Sequence, residues 1–240
     1  MAWQLLTIIP LPLSPKIMSN TPGRSTAYYP LVGLILGGLL AGAGQLLFAF
    51  LPVGLAAALL LALWAGLTGL LHLDGFMDSC DGLLPPRDPA RRLEIMKDSH
   101  VGAFGVVGVI LLLLLKFNAL MAVPAADRVS ALVVVPMLAR WAMTWVMARY
   151  PAARREGLGV YFGKDVGWGQ VGGATIIAAG VSFLFMGWAD ALLLFGLTWL
   201  TATLIARLAL ARIGGLTGDV YGAICEVSEA VALITVVLFS

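Results

Sequence analysis

Long apolar runs separated by short polar loops dominate this chain. Seven runs, at 31–51, 53–71, 103–123, 129–148, 171–188, 191–211 and 222–239, can cross, or nearly cross, a hydrocarbon core of about 30 Å as helices. Lipid offers the backbone no hydrogen-bonding partner, so spans of this length are helical. The pattern predicts an all-α polytopic bundle of about seven spans, forming one domain over residues 1–240. The last run is unusual in carrying Glu226 and Glu229. Residues 1–13 are apolar but too short to span and are interrupted by Pro10 and Pro12. With no charged leader or small-residue cleavage site, they read as an interfacial segment rather than a signal peptide.

Composition agrees with that reading. Hydrophobic residues make up 60% of the chain and charged ones 12%, against about 25% charged in soluble domains. Mean hydropathy is +0.97. There is no room for a sizeable soluble domain, and nucleic acid is not an expected partner. The net charge of +2 matters less than where the charges lie. Twelve Lys and Arg fall in loops or helix ends on one side, and only Arg128 on the other. The positive-inside rule then puts the N-terminus in the cytoplasm and, after seven spans, the C-terminus outside. Eleven of the 13 acidic residues share the basic side, the exceptions being Asp127 and Asp190. A face where both signs concentrate is more like an active site than a topology signal. Cys80 and Cys225 form no disulfide pattern and read as small apolar filler.

Three loops on that face hold the candidate chemistry. His72-Leu73-Asp74-Gly75-Phe76-Met77-Asp78-Ser79-Cys80-Asp81-Gly82 follows an apolar run directly. On a helix Asp74, Asp78 and Asp81 project within about 60° of one another. Three clustered carboxylates near hydrocarbon call for a cation, and oxygen donors favour a hard one such as Mg²⁺, usually shared with substrate phosphates. Next, Asp88 and Pro89 have the chemistry of a helix start. Arg91, Arg92 and Lys97 beyond them supply cations that suit a diphosphate. The segment 154–165 combines Arg154, Arg155 and Lys164 with three glycines, and the stretch from Arg212 to Gly222 leads into Glu226. Arg140 falls mid-span and is expected to face carboxylates or phosphate. Lys116 is expected to snorkel, Gly33 and Gly37 to serve close helix packing, and His72 to act as a hydrogen-bonding residue at the substrate site.

These blocks resemble the cobalamin synthase, or adenosylcobinamide-GDP ribazoletransferase, family. The likeness runs nearly end to end. It covers Tyr29-Pro30-Leu31-Val32-Gly33, the His72–Gly82 block, Arg92 through Gly105, Arg140, Gly157-Leu158-Gly159 with Phe162, and Gly214-Gly215-Leu216-Thr217-Gly218-Asp219. Ile8 departs from it, standing where the family often has arginine, and Phe76 and Met77 replace smaller residues. The resemblance implies a Mg²⁺-dependent enzyme of the cytoplasmic (inner) membrane. It would join adenosylcobinamide-GDP to α-ribazole or its 5′-phosphate and release GMP. It further implies Asp74, Asp78 and Asp81 as metal ligands with Asp98 as a further one, and one of the carboxylates, including Asp219, as proton acceptor. Arg91, Arg92, Lys97, Arg140 and Lys164 would serve the diphosphate, and Glu226 a substrate hydroxyl or metal-bound water. Membrane lipid, other nucleotide-loop assembly enzymes and a second copy of the chain are the expected partners. Competing readings are a CDP-alcohol phosphotransferase, which Leu83-Leu84-Pro85-Pro86 after the Asp-Gly pair disfavours, a prenyltransferase, and a corrinoid or metal transporter. A transporter would place its polar groups near mid-membrane.

Overall fold

A computed structural model of the chain describes residues 1–10, 22–154, 156–157, 161 and 163–239. Among these residues the architecture is helical, and an isolated bridge between Ala152 and Leu216 is the only strand-like pairing. A short α1 (Ala2–Leu6) and a 3₁₀ turn (Pro22–Tyr28) precede α2 (Tyr29–Phe50) and α3 (Val53–Leu67). Then come α4 (Leu71–Leu83), α5 (Pro89–Ile95), α6 (Ala103–Ala122) and α7 (Arg128–Arg149). The chain ends with α8 (Trp168–Ile213) and α9 (Gly218–Phe239). Five helices are long and apolar enough to cross a membrane, or six if the bent α3–α4 pair is one span. This is a multi-pass membrane protein. The interfacial N-terminal segment is described only as far as Pro10, where α1 buries Leu6 against the bundle.

The 46 residues of α8 do not form one rod. Gly187 breaks the helix with φ 76° and ψ 177°, a conformation open to glycine because it has no Cβ. Trp145 of α7 meets Trp168 at 5.5 Å and Trp199 at 6.4 Å between ring centroids. On a straight helix those two tryptophans would lie about 46 Å apart. The arms 168–186 and 188–213 therefore fold back on each other, occupying the fifth and sixth hydropathy runs.

At the centre of the bundle, α7 is buried over most of its length. It packs on α2 through Gly33 and Gly37, where an added Cβ would come within 2.5–2.6 Å of the Pro136 and Leu132 carbonyl oxygens. Helix packing is thus the role of this GxxxG pair. The main departure from the hydropathy pattern is at the second run. Gly69 and Leu70 both adopt φ 61°, ending α3 after 15 residues, and α4 sets off at 88° to it. The Ile8 amide donates to the Leu67 carbonyl at 3.0 Å and its side chain packs beside Gly69. Position 8 therefore supports the elbow. α4 leaves the direction of the spans just where the aspartates begin.

Candidate active site

Two glycines bring the acidic residues of α4 and α9 together. A Cβ on Gly75 would lie 2.9 Å from the Asp219 Cα, and one on Gly222 2.9 Å from the His72 carbonyl oxygen. Bare backbone on both sides permits this contact and sets Asp219 beside Asp74 and Asp78. A cavity of about 240 Å³ opens there, lined by His72, Asp74, Arg154, Thr217, Asp219 and Tyr221 among others. Thr217 caps α9, its hydroxyl accepting from the Val220 amide at 3.3 Å and donating to Asp219 Oδ2 at 3.1 Å.

Arg154 arrives from a distant loop. Gly214, at φ 77°, ends α8, and Gly215 then packs so tightly on residues 151–153 that a Cβ would sit 2.6 Å from the Pro151 carbonyl oxygen. The Leu216 amide donates to the Pro151 carbonyl at 2.9 Å, and the Ala153 amide to the Leu216 carbonyl at 2.8 Å. This strap holds Arg154 Nη1 3.6 Å from Asp219 Oδ2, while Nη2 donates to the Leu93 carbonyl at 3.2 Å.

The site is electrostatically unbalanced. Burial, then Asp219, Asp74 and Asp81, push the Asp78 carboxyl up to about 7, with Arg154 opposing. Among the described residues no three His, Cys, Asp or Glu side chains converge closely enough to chelate one ion unaided. An incomplete shell of carboxylate oxygens with excess negative charge nevertheless suits Mg²⁺. That ion typically takes one or two carboxylates and completes its shell with water and substrate phosphate.

The other residues singled out in the sequence have different surroundings. Asp81 is buried and accepts from the Gly102 and Gly105 amides at 2.8 and 2.9 Å, so both oxygens cap α6. Asp98 is exposed and bonded to the His100 amide at 3.0 Å and to its ring at 2.6 Å. This partner lowers the Asp98 pKa and raises that of His100. Asp88 caps α5 as expected, accepting from the Arg91 amide at 3.0 Å. Arg92 is buried and donates to the Gly82, Leu83 and Arg87 carbonyls at 2.6–2.8 Å, closing the end of α4 rather than facing a diphosphate. Arg91 is exposed and paired with Glu94 at 2.9 Å. Lys97 and Lys164 are exposed and do not line the cavity. Arg155, Leu158, Gly159 and Phe162 lie outside the described residues.

Arg140 faces a carboxylate inside the bundle, as its mid-span position led one to expect, but neither it nor Glu226 lines the cavity, and both are enclosed within the bundle. Arg140 pairs with Glu229, and Lys116 donates to Glu226 at 2.8 Å and Glu229 at 2.6 Å. Lys116 does not snorkel. Its ammonium lies 4.7 Å from the Trp64 ring centroid, inside the protein. Arg140 Nη2 also stands 3.3 Å from His72 Nδ1, which connects this buried network to the cavity wall. The hydropathy pattern revealed the charges but not their partners, which come from three helices far apart in sequence. The sequence placed Thr217, Tyr221 and Arg154 within candidate loops but gave none of them an individual role. The Thr-Gly-Asp start of α9 was a capping signal for the first of these.

A family model described as Cobalamin-5-phosphate synthase (CobS) matches residues 1–237. A protein of Geotalea daltonii named Adenosylcobinamide-GDP ribazoletransferase is 42% identical over 247 residues, covering 98% of this chain and 95% of its own. One of the same name from Stutzerimonas stutzeri is 42% identical over 238 residues, covering 99% and 96%. Another, from a Roseiflexus species, is 36% identical over 237 residues, covering 99% and 88%. No solved structure matches.

Proposed function

The chain belongs to the cobalamin-5-phosphate synthase family, and on that premise we propose that it joins adenosylcobinamide-GDP to α-ribazole, or its 5′-phosphate, with release of GMP. This is the final assembly step of the cobalamin nucleotide loop. The observation that supports the reading most directly is the meeting of Asp74 and Asp78 on α4 with Asp219 on α9 at an Arg154-lined cavity. A ribose hydroxyl attacks the phosphorus next to cobinamide, and GMP leaves with the rest of the diphosphate.

In this proposal one or two of the Asp74, Asp78 and Asp219 carboxylates would hold Mg²⁺ together with the substrate phosphates, and the ion would supply charge neutralisation at the reacting phosphorus. Asp81 contributes indirectly by fixing α4 to α6. A carboxylate of the cluster takes the hydroxyl proton. The crossing of α4 and α9 keeps the groups in register before substrate arrives, so that positioning lowers the barrier. With the side rich in Lys and Arg in the cytoplasm and the spans in the inner membrane, the cavity would open to the compartment that holds nucleotides.

The test uses purified protein in detergent with adenosylcobinamide-GDP, α-ribazole and Mg²⁺, following GMP and cobalamin by chromatography. Equal formation of both products, lost with EDTA and regained with Mg²⁺, is expected. Folded protein that forms neither product would overturn the reading and favour a transporter.

A further inference from the structure

We propose that Arg154 is a catalytic residue that binds the phosphoryl oxygens of the diphosphate substrate and neutralises charge as GMP departs. The proposal rests on the transferase reading above. Other candidate cations are either bonded within the protein or, like Lys97 and Lys164, stand off the cavity. Arg92 is spent on three carbonyls, Arg91 on Glu94, and Arg140 and Lys116 on the buried glutamates. Arg154 is the cationic side chain among the described residues that line the cavity, where it stands against Asp74, Asp219 and Glu156.

Its own bonding leaves capacity unused. Nη2 is anchored on the Leu93 carbonyl, but Nη1, at 3.6 Å from Asp219, is beyond a direct hydrogen bond, and Nε is enclosed with no partner among the described residues. The guanidinium is therefore positioned by the strap at 151–154 without being consumed. Only 20% of the side chain is exposed, so its interaction with an anion is poorly screened by solvent. The start of α9, with Thr217 and Gly218 on the same wall, adds the positive end of a 22-residue helix.

An anionic diphosphate approaching three carboxylates is repelled unless cationic charge meets it. The planar fork of arginine can address two phosphoryl oxygens at once, which an ammonium cannot. In the transfer a bond forms between the acceptor hydroxyl oxygen and the phosphorus next to cobinamide. The bond from that phosphorus to the bridging oxygen breaks, and GMP leaves with that oxygen and the electron pair. The hydroxyl proton passes to a carboxylate of the cluster. Arg154 neutralises charge on the phosphoryl oxygens throughout and takes no proton.

The experiment compares R154Q, R154K and R154A with the unaltered full-length enzyme, measuring kcat and KM for each substrate and the melting temperature. R154Q is expected to lower kcat/KM for adenosylcobinamide-GDP by about 10²–10³-fold. KM for α-ribazole should hold, and the melting temperature should change little. R154K should recover only part of the loss, and added guanidinium ion should partly restore R154A. R154Q activity within threefold of the unaltered enzyme overturns the proposal. So does a loss that affects both substrates' KM equally and resists guanidinium, which would mark the strap as purely structural. If the unaltered enzyme makes neither product, the transferase reading itself fails and this role falls with it.

Discussion

Replacing Glu226 by glutamine tests whether the buried charges hold the bundle together. Lys116, Arg140, Glu226 and Glu229 side chains are at most 4% exposed, and their formal charges cancel. Glu226→Gln leaves Lys116 and Arg140 sharing Glu229, one positive charge in excess. Breaking a buried pair by removing one partner costs about 3–5 kcal/mol. Lys116 keeps its 2.6 Å contact with Glu229, so we expect about 3 kcal/mol. Glu229→Gln strips both cations of a shared partner and should reach about 5 kcal/mol. A lost hydrogen bond between membrane helices averages only about 0.6 kcal/mol, so losses this large would report uncompensated charge. The decisive variant is Lys116→Met with Glu226→Gln, which restores neutrality around Arg140 and Glu229. It should cost about 2 kcal/mol less than the sum of the two single changes, within the usual range for contacting residues. The assay is reversible SDS unfolding of the full-length protein in mixed micelles, with KM measured on the folded variants. Additive single losses would refute the neutral-network argument. Unchanged stability of E226Q with a raised KM would return Glu226 to the substrate.

The pH dependence of Asp78 is a second prediction. Its carboxyl is raised from 3.8 to about 7, so the folded state holds this proton more tightly than the unfolded one. This group should therefore favour the metal-free fold at low pH and lose that contribution as pH rises from about 4 to 7. Melting temperatures in EDTA should show that slope flattened in Asp78→Asn, and an unchanged slope would refute it. Activity runs in the opposite sense, since it needs the ionised carboxylate: it should fall toward acid pH with a midpoint below that of the metal-free protein, because bound Mg²⁺ favours the ionised form, and it should be absent in D78N. For Gly75→Ala, the new Cβ must push on Asp219, 2.9 Å away. A stability loss of about 1–3 kcal/mol and a much larger proportional loss of turnover are expected from denaturation and kinetic assays. Arg92→Gln should leave carbonyls of α4 unpaired and cost about 2–4 kcal/mol. The surviving folded fraction should retain KM for adenosylcobinamide-GDP, and a raised KM would place Arg92 at the substrate.

Much of the fold was legible because span length and loop charge are local properties of a membrane sequence. The runs, the α5 cap at Asp88 and the close packing at Gly33 and Gly37 were all visible in this way. The elbow was not, since nothing local in Leu67-Thr68-Gly69-Leu70 distinguishes a right-angle turn from the end of a span. Asp74, Asp78 and Asp219 stood out by residue type, and the structure brings them near one another. Side-chain partners were harder, because spacing on a helix gives a face but not what the face meets. Asp81 lies on the same face as Asp74 and Asp78, yet the amides of α6 claim it. Arg92 looked like a phosphate ligand until three carbonyls came within reach. Mid-span charge correctly singled out Arg140, but could not tell a substrate contact from an internal ion pair.

The two charged clusters differ in a way that separates structure from function. Within the spans, two cations and two carboxylates cancel and bond to one another, so the network needs no outside partner. At the cavity, Asp74, Asp219 and Glu156 face Arg154, and the carboxyl of nearby Asp78 is pushed up to about 7 by burial and then by Asp219, Asp74 and Asp81. That cluster carries excess negative charge even when Asp78 is protonated. Excess charge destabilises the empty protein, and a divalent cation relieves it only if that cation binds there. The metal would then bring positive charge to which a diphosphate can bind, with Arg154 already beside it. The balanced cluster next door has no such requirement. His72 connects the two, presenting Nδ1 to Arg140 while its residue forms part of the cavity wall. Arginine can only donate, so Nδ1 accepts and the neutral ring carries its proton on Nε2. Nε2 is enclosed with no partner among the described residues, so the internal network reaches the cavity wall by fixing where the His72 ring sits, a coupling that a bundle held by apolar packing alone could not provide.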